Sequence, residues 1–287
     1  MREIRGVGIL GAGTLGRLVG KYMGEKGLTV YITDTSEEAL HRAGEFIGNY
    51  AHLCESGGFD EQLPNCDLVI ECTPEVPDVK MGALRYIDGL ADAGAIITTP
   101  TSSMVGSRLR GAMGEERWPY FLNTHYLPGV KGLEERPLVE IMGHDRTSPD
   151  VMEGMYGFFE GIGLIPIMVR GERPFYIFNE VWFAIKDATL RLIEEGQYVA
   201  EVDKAFRVGI PAPLPPCEAM DMVGLDTIRK VEQSKQMYTP EYQPSRLVEA
   251  MVDISWLGRK TGKGFYVYDG PEKTPNSGIP ELVGTLK

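Results

Sequence analysis

Several things are scarce in this chain of 287 residues, and each scarcity excludes something. It has four cysteines, Cys54, Cys66, Cys72 and Cys217, with no C-x-x-C pair among them. In a chain of this length they read as reduced, scattered thiols, so neither a disulfide scaffold nor a metal site is expected, and the compartment implied is cytoplasmic. Basic charge is short: 29 Lys and Arg stand against 41 Asp and Glu, a net charge of −12. Nucleic acid and anionic membrane surfaces both need a basic footprint, so neither is expected as a partner. Long apolar runs are missing, which argues against a membrane-spanning helix. The opening "MREIRGVGIL" enters a strand pattern at once, without the apolar core and cleavage site of a signal peptide. No internal repeat or low-complexity tract is evident.

What is present is ordinary globular material. Apolar residues make up 43%, enough for a sizeable core, and the length suits two unequal domains. Short β-branched runs, "GVGIL" (6–10), "LTVYITD" (28–34), "DLVIECT" (67–73), "GAIITTP" (94–100), "YFLNTHY" (120–126) and "LIPIMVR" (164–170), alternate with amphipathic helical stretches. That alternation predicts an α/β fold with a Rossmann-type, doubly wound parallel sheet. After "GERP" (171–174) the pattern turns to long helices. The expected organisation is a dinucleotide-binding domain over 1–172 and an all-α domain over 173–287, its tail "DGPEKTPNSGIPELVGTLK" a loosely held extension.

The strongest local signal is Gly11-Ala12-Gly13-Thr14-Leu15-Gly16, which follows an apolar strand and opens a helix. In that context Gly11 permits the tight turn, Gly13 lets backbone approach a pyrophosphate, and Gly16 lets helix pack on strand. The helix N-terminus, with Thr14 and Leu15 in its first turn, offers N–H groups to the phosphates. Asp34 ends the next strand and is placed to accept hydrogen bonds from the adenine-ribose hydroxyls. It would repel a 2′-phosphate, so NAD is expected rather than NADP. Further on, "THYLPGVKGLEERPLVEI" (124–141) carries His125, one of four histidines, and Glu140 in an apolar frame. Taken alone, this stretch fits either a proton-transfer pair or a loop between two ordinary strands.

With these residues in view, the chain resembles the 3-hydroxyacyl-CoA dehydrogenase family from Gly6 to about Tyr268. "DLVIECTPE" is similar to that family's "DLVIEAVPE", "TPTSSM" to its "SNTSS", and "NTHYLPGV…RPLVEI" to "GLHFFNPVP…LVEV". "RPFYIFNEV" resembles "PGFIVNRL", and "CEAMDMVGLDTI" and "GRKTGKGFYVY" resemble the C-terminal signatures. The resemblance implies NAD-dependent oxidation of an L-3-hydroxyacyl thioester, as in fatty acid metabolism. It implies His125 as catalytic base with Glu140 as its partner, and Ser102 and Asn179 on the substrate oxygen. Glu75 and Lys80 would lie on the nicotinamide-ribose side of NAD. It also implies a homodimer through the helical domain, for which the apolar set Phe175, Phe178, Trp182 and Ile185 is the sequence candidate. A histidine suits the proton half of alcohol oxidation at neutral pH, and a glutamate fixes its tautomer.

Three departures bear on the substrate. The asparagine that follows the histidine in "HFFNP" is missing, with Leu127-Pro128-Gly129 in that region. The His125-to-Glu140 segment is longer than in the family and contains Glu134 and Glu135 as alternative partners. In the family a lysine-bearing arm receives the CoA phosphates. Residues 35–66 here are shorter and hold Arg42, no lysine, and Glu37, Glu38, Glu45, Glu55, Asp60 and Glu61. A hydroxyacyl group on a carrier protein, or a small free 3-hydroxy acid of the gulonate or carnitine kind, therefore stands beside the CoA ester as an expectation. A non-catalytic NAD-binding protein is a third reading.

Overall fold

The computed structural model describes residues 2–55, 57–128, 135, 137–212 and 214–286. They fall into two compact units, Met1–Ile177 and Phe178–Lys287. The division comes after Ile177 because the three residues before it bond backward: Phe175 and Ile177 donate backbone N–H groups to Ser102 and Glu140, and Tyr176 donates its hydroxyl to Thr101.

The first unit runs β1 (Gly6–Leu10), α1 (Thr14–Glu25), β2 (Thr29–Thr33), α2 (Glu37–Ile47), β3 (His52–Leu53), α3 (Gly58–Gln62), β4 (Leu68–Glu71), α4 (Pro77–Leu90), β5 (Ile96–Thr99), α5 (Gly106–Leu109), β6 (Phe121–Leu127), β7 (Leu138–Met142), α6 (Pro149–Gly161) and β8 (Ile165–Met168). Among the described residues these strands form one eight-stranded sheet, ordered β3-β2-β1-β4-β5-β6-β7-β8. Every neighbouring pair is parallel except β6 and β7. The order reverses beside β1, so right-handed crossovers send α1 and α2 to one face and α4 to the other, and a crevice opens at the carboxyl ends of β1 and β4.

Local chemistry explains the elements. β1 is buried along nearly its whole length, as a strand covered on both faces must be. α1 turns Val19, Tyr22 and Met23 into the core, each burial contributing about 1.5–3 kcal/mol. α2 starts where the Ser36 hydroxyl accepts the Ala39 N–H at 3.2 Å, and stops at Gly48 with φ +62°. α4 begins with Pro77, whose missing N–H costs nothing in a first turn. The six strands legible in the sequence are all present; the two-residue β3 is too short to show a period.

The second unit is helical: α7 (Phe178–Glu194), α8 (Val199–Gly209), α9 (Pro216–Val223), α10 (Leu225–Tyr238) and α11 (Arg246–Asp253), followed by a hairpin of β9 (Tyr266–Asp269) and β10 (Glu272–Pro275), then α12 (Ile279–Thr285). Asp221 anchors the hairpin by accepting the Phe265 and Tyr266 N–H groups and the Tyr268 hydroxyl, each at 2.9 Å. Two sequence expectations need correction here. The tail is not a loose extension: Ile279 and Val283 of α12 lie in the core with Leu247, Met251 and Phe265. Phe175 does not belong to the apolar stripe of α7; it is 4% exposed and lies in the first unit, before the helix begins. No helix among the described residues is long and apolar enough to cross a membrane.

Candidate active site

The glycine loop bridges β1 and α1, and each glycine meets a different constraint. Gly11 has φ +116°, and a Cβ there would lie 2.5 Å from the Cys72 carbonyl oxygen. A Cβ on Gly16 would lie 1.9 Å from the Gly11 oxygen. Gly13 has nothing within 4 Å of its Cβ position and caps α1 with no side-chain bond. The first turn of α1, Thr14 onward, contains no acidic residue, so no carboxylate of that turn offsets its positive dipole end. Asp34 lies alongside: its Oδ2 accepts the Ala12 N–H and its Oδ1 the Ser36 N–H, both at 2.8 Å. The carboxylate is thereby fixed at the end of β2. An open cradle at Gly13, a bare helix N-terminus and a pinned acidic acceptor fit the pyrophosphate and ribose of NAD.

Glu75 and Lys80 lie at the carboxyl end of β4 with a partner the sequence reading passed over. Lys80 is 1% exposed, and its Nζ donates to both oxygens of buried Glu71 at 3.2 and 3.1 Å and to the Thr73 carbonyl at 3.1 Å. Glu75 Oε2 is 3.5 Å from the same ammonium. Thr99 closes the shell on Glu71 at 2.7 Å. A buried ion pair persists only when such extra bonds satisfy both groups. The signal available was an acid ending the apolar run "LVIE". Glu75 also accepts the Ser103 N–H and hydroxyl, at 3.2 and 2.6 Å, and the Thr101 hydroxyl. Burial pushes the Glu75 carboxyl up, but Lys80 and these donors together outweigh it and hold it below its usual range.

His125 and Glu140 are directly opposed on β6 and β7. Both are buried, at 5% and 1% exposure, and His125 Nδ1 lies 2.9 Å from Glu140 Oε2. A carboxylate only accepts, so Nδ1 carries the proton and Nε2 presents a lone pair. Ser102, in the turn after β5, places its Oγ 3.1 Å from that Nε2. Three residues from separate segments thus form one line, Ser102–His125–Glu140, able to take a proton at the imidazole Nε2 and to balance the charge at the glutamate. Glu134 lies outside the described residues.

The far end of this line is held by residues 175–177. The Ile177 N–H donates to Glu140 Oε1 at 2.9 Å, and the Phe175 N–H to the Ser102 carbonyl at 2.8 Å. Tyr176, fully buried, lays its ring on the His125 imidazole with centroids 4.5 Å apart and planes 11° from parallel. Its hydroxyl donates to the Thr101 carbonyl at 3.1 Å. Phe175 and Tyr176 both have left-handed backbone, φ +65° and +58°, which costs bulky residues about 1–2 kcal/mol each. Sequence patterning carries no signal for this turn, since nothing in "RPFYIF" announces positive φ. Asn179 belongs to the second unit, in the first turn of α7.

Known proteins match this architecture along most of its length. Residues 6–63 and 56–172 match the 3-hydroxyacyl-CoA dehydrogenase NAD binding domain, and residues 176–268 the C-terminal domain of the same family. A 3-hydroxybutyryl-CoA dehydrogenase of Bradyrhizobium diazoefficiens is 29% identical over 95% of this chain and 98% of its own length. The crystal structure of an (S)-3-hydroxybutyryl-CoA dehydrogenase from Ralstonia eutropha superposes with a TM-score of 0.82 at 27% identity, covering 93% of this chain and 100% of that one. A diketoreductase described by its dual catalysis of dicarbonyl compounds does so with a TM-score of 0.77, also at 27% identity, over 93% of this chain and all of that one.

Proposed function

Since this chain belongs to the 3-hydroxyacyl-CoA dehydrogenase family, and is an NAD-dependent oxidoreductase acting on CH–OH groups, we propose that it interconverts an L-3-hydroxyacyl thioester and its 3-oxoacyl form with His125 as the general base. The observation that carries the reading is the line Ser102–His125–Glu140, buried at His125 and Glu140 and half-buried at Ser102. NAD, when bound, accepts the hydride from the carbinol carbon. The substrate hydroxyl gives its proton to His125 Nε2, the lone pair that Glu140 keeps free by holding Nδ1–H. As the imidazolium forms, the buried Glu140 carboxylate balances it without rearrangement, its second oxygen already held by the Ile177 N–H. Ser102 donates to the substrate oxygen as it becomes a carbonyl, and Asn179 is the second donor proposed for that oxygen. Gly11, Gly13, Gly16 and the α1 N–H groups would hold the pyrophosphate, Asp34 the adenine ribose, and Glu75 the nicotinamide side, with buried Lys80 acting through its ion pair to Glu75. Reduction of acetoacetyl-CoA by NADH, followed optically, tests the reading; no turnover of this or any other 3-oxoacyl ester would sink it.

A second reading, a small free 3-hydroxy acid as substrate, has its own support. The one arginine of residues 35–66, Arg42, is paired with Glu38 at 2.9 Å, and six carboxylates share that segment. The same charge pattern favours a hydroxyacyl group on a carrier protein over free CoA. We also infer a homodimer through the second unit, where α7 leaves Phe178 and Val181 exposed at 38% and 57%.

A further inference from the structure

Residues 175–177 touch every member of the catalytic line, and one of them touches the imidazole itself. We propose that Tyr176 is a positioning residue for the reaction: its ring fixes the plane of the His125 imidazole, and its hydroxyl ties that plane to the turn bearing Ser102. The inference rests on the proton-transfer reading of His125 given above.

Two hydrogen bonds in the imidazole plane, one donated by Nδ1–H to Glu140 and one accepted by Nε2 from the Ser102 hydroxyl, orient the ring edge. Neither resists tilting or rocking out of that plane. A flat ring 4.5 Å away and 11° from parallel does, because any tilt drives imidazole atoms into the phenol face. The phenol is itself fixed at both ends. Its backbone is locked in the left-handed turn, between the Phe175 N–H bond to Ser102 and the Ile177 N–H bond to Glu140. Its hydroxyl is bonded to the Thr101 carbonyl, the peptide unit that leads into Ser102. Burial pushes the phenol well above its ordinary titration range, so it remains a donor. A strained turn of two bulky residues persists only where its surroundings over-determine it, and here the surroundings are the reacting groups. A misplacement of about 1 Å at such a site costs about 10²-fold in rate.

The experiment compares Tyr176→Phe, which keeps the ring, with Tyr176→Leu and Tyr176→Met, which fill the space without a flat face. Phenylalanine should keep kcat within about threefold. Leucine or methionine should lower kcat by about 10–100-fold with KM and NADH affinity nearly unchanged. In a His125→Ala background the same replacements should cost less than about threefold, because there is no imidazole left to hold. Methionine serves where leucine loses NADH binding and hence its fold. A readout independent of turnover accompanies this. In protein carrying 15N-histidine, four residues in all, the His125 spectrum near pH 8 should show one tautomer with the proton on Nδ1, and exchange between tautomers in the leucine or methionine variant. The proposal is overturned if the ringless variants keep kcat within threefold, if they lose as much without His125 as with it, or if the tautomer pattern is unchanged. Absence of wild-type turnover would instead remove the proposed function, and the spectra would still judge Tyr176.

Discussion

Glu140 faces His125 because the two are register partners in the antiparallel β6–β7 pair, at positions where their side chains share one face of the sheet. The register is set by flanking buried pairs, Tyr126 with Val139 and Thr124 with Ile141. Slipping it by one residue would turn the apolar set out of the core, so the pairing is strongly specified. The number of residues joining the strands therefore does not decide which acid meets the histidine, and the longer segment between them leaves the pair intact.

That relationship gives the first expectation. His125→Ala should lower kcat by about 10²–10⁴-fold with NADH binding near normal, the usual worth of a placed general base. Glu140→Gln should cost less, since the amide can still accept from Nδ1–H. Steady-state kinetics beside NADH titration measure both; a wild-type kcat in His125→Ala would remove the assignment.

Cofactor choice follows from Asp34. Its fixed carboxylate should favour NAD over NADP by about tenfold or more, because a 2′-phosphate loses the ribose bond and meets like charge, at about 1–3 kcal/mol. Calorimetric titration of both nucleotides decides this, and equal affinities would count against it.

Glu75 makes a pH-dependent contribution to stability with a definite sign. Its folded carboxyl titrates below the usual value, so the folded state binds fewer protons than the unfolded chain as pH falls. The stabilisation is complete above the unfolded value of about 4.3 and is lost as pH falls through the lower folded one. Urea unfolding of wild type and Glu75→Gln should therefore show a gap that is constant above about pH 5.5 and narrows below about pH 4. A gap that widens on acidification would reverse the sign.

Substrate recognition should fall on the hydroxyacyl head. In residues 35–66 the charge opposes a 3′-phospho-ADP by about 1–2 kcal/mol after screening. Cations elsewhere are engaged: Arg110 with Asp145, and Lys260 with Asp226. A pantetheine or N-acetylcysteamine thioester should then keep most of the kcat/KM of the CoA ester. A hundredfold advantage for the full CoA ester would show that basic residues such as Arg108 or Lys263 receive its phosphates.

The proposed homodimer is tested by light scattering at micromolar concentration. A dimer that Val181→Glu disrupts is the expected result; a fully active monomer would refute it.

Much of this was legible beforehand because it rests on short-range regularities. Short apolar, β-branched runs gave β1, β2, β4, β5, β6 and β8, and a strand–glycine loop–helix order located the nucleotide end. His125, Glu140 and Ser102 were named from resemblance, and the sheet brings them into one line. What stayed hidden depends on tertiary context. Lys80 is named from resemblance as a cofactor contact, and nothing local reveals that its ammonium is paired with buried Glu71. Tyr176 drew no expectation at all, because positive φ leaves no trace in a polar-apolar pattern. The tail read as loose because its proline and glycine content conceals two residues, Ile279 and Val283, that matter to the core.

That last feature bears on how the protein is handled at the bench. The family's C-terminal match ends at residue 268, whereas α12 begins at Ile279. A clone trimmed to the matched boundary would strip the cover from Leu247, Met251 and Phe265, and the product would tend to precipitate or stick to itself on expression.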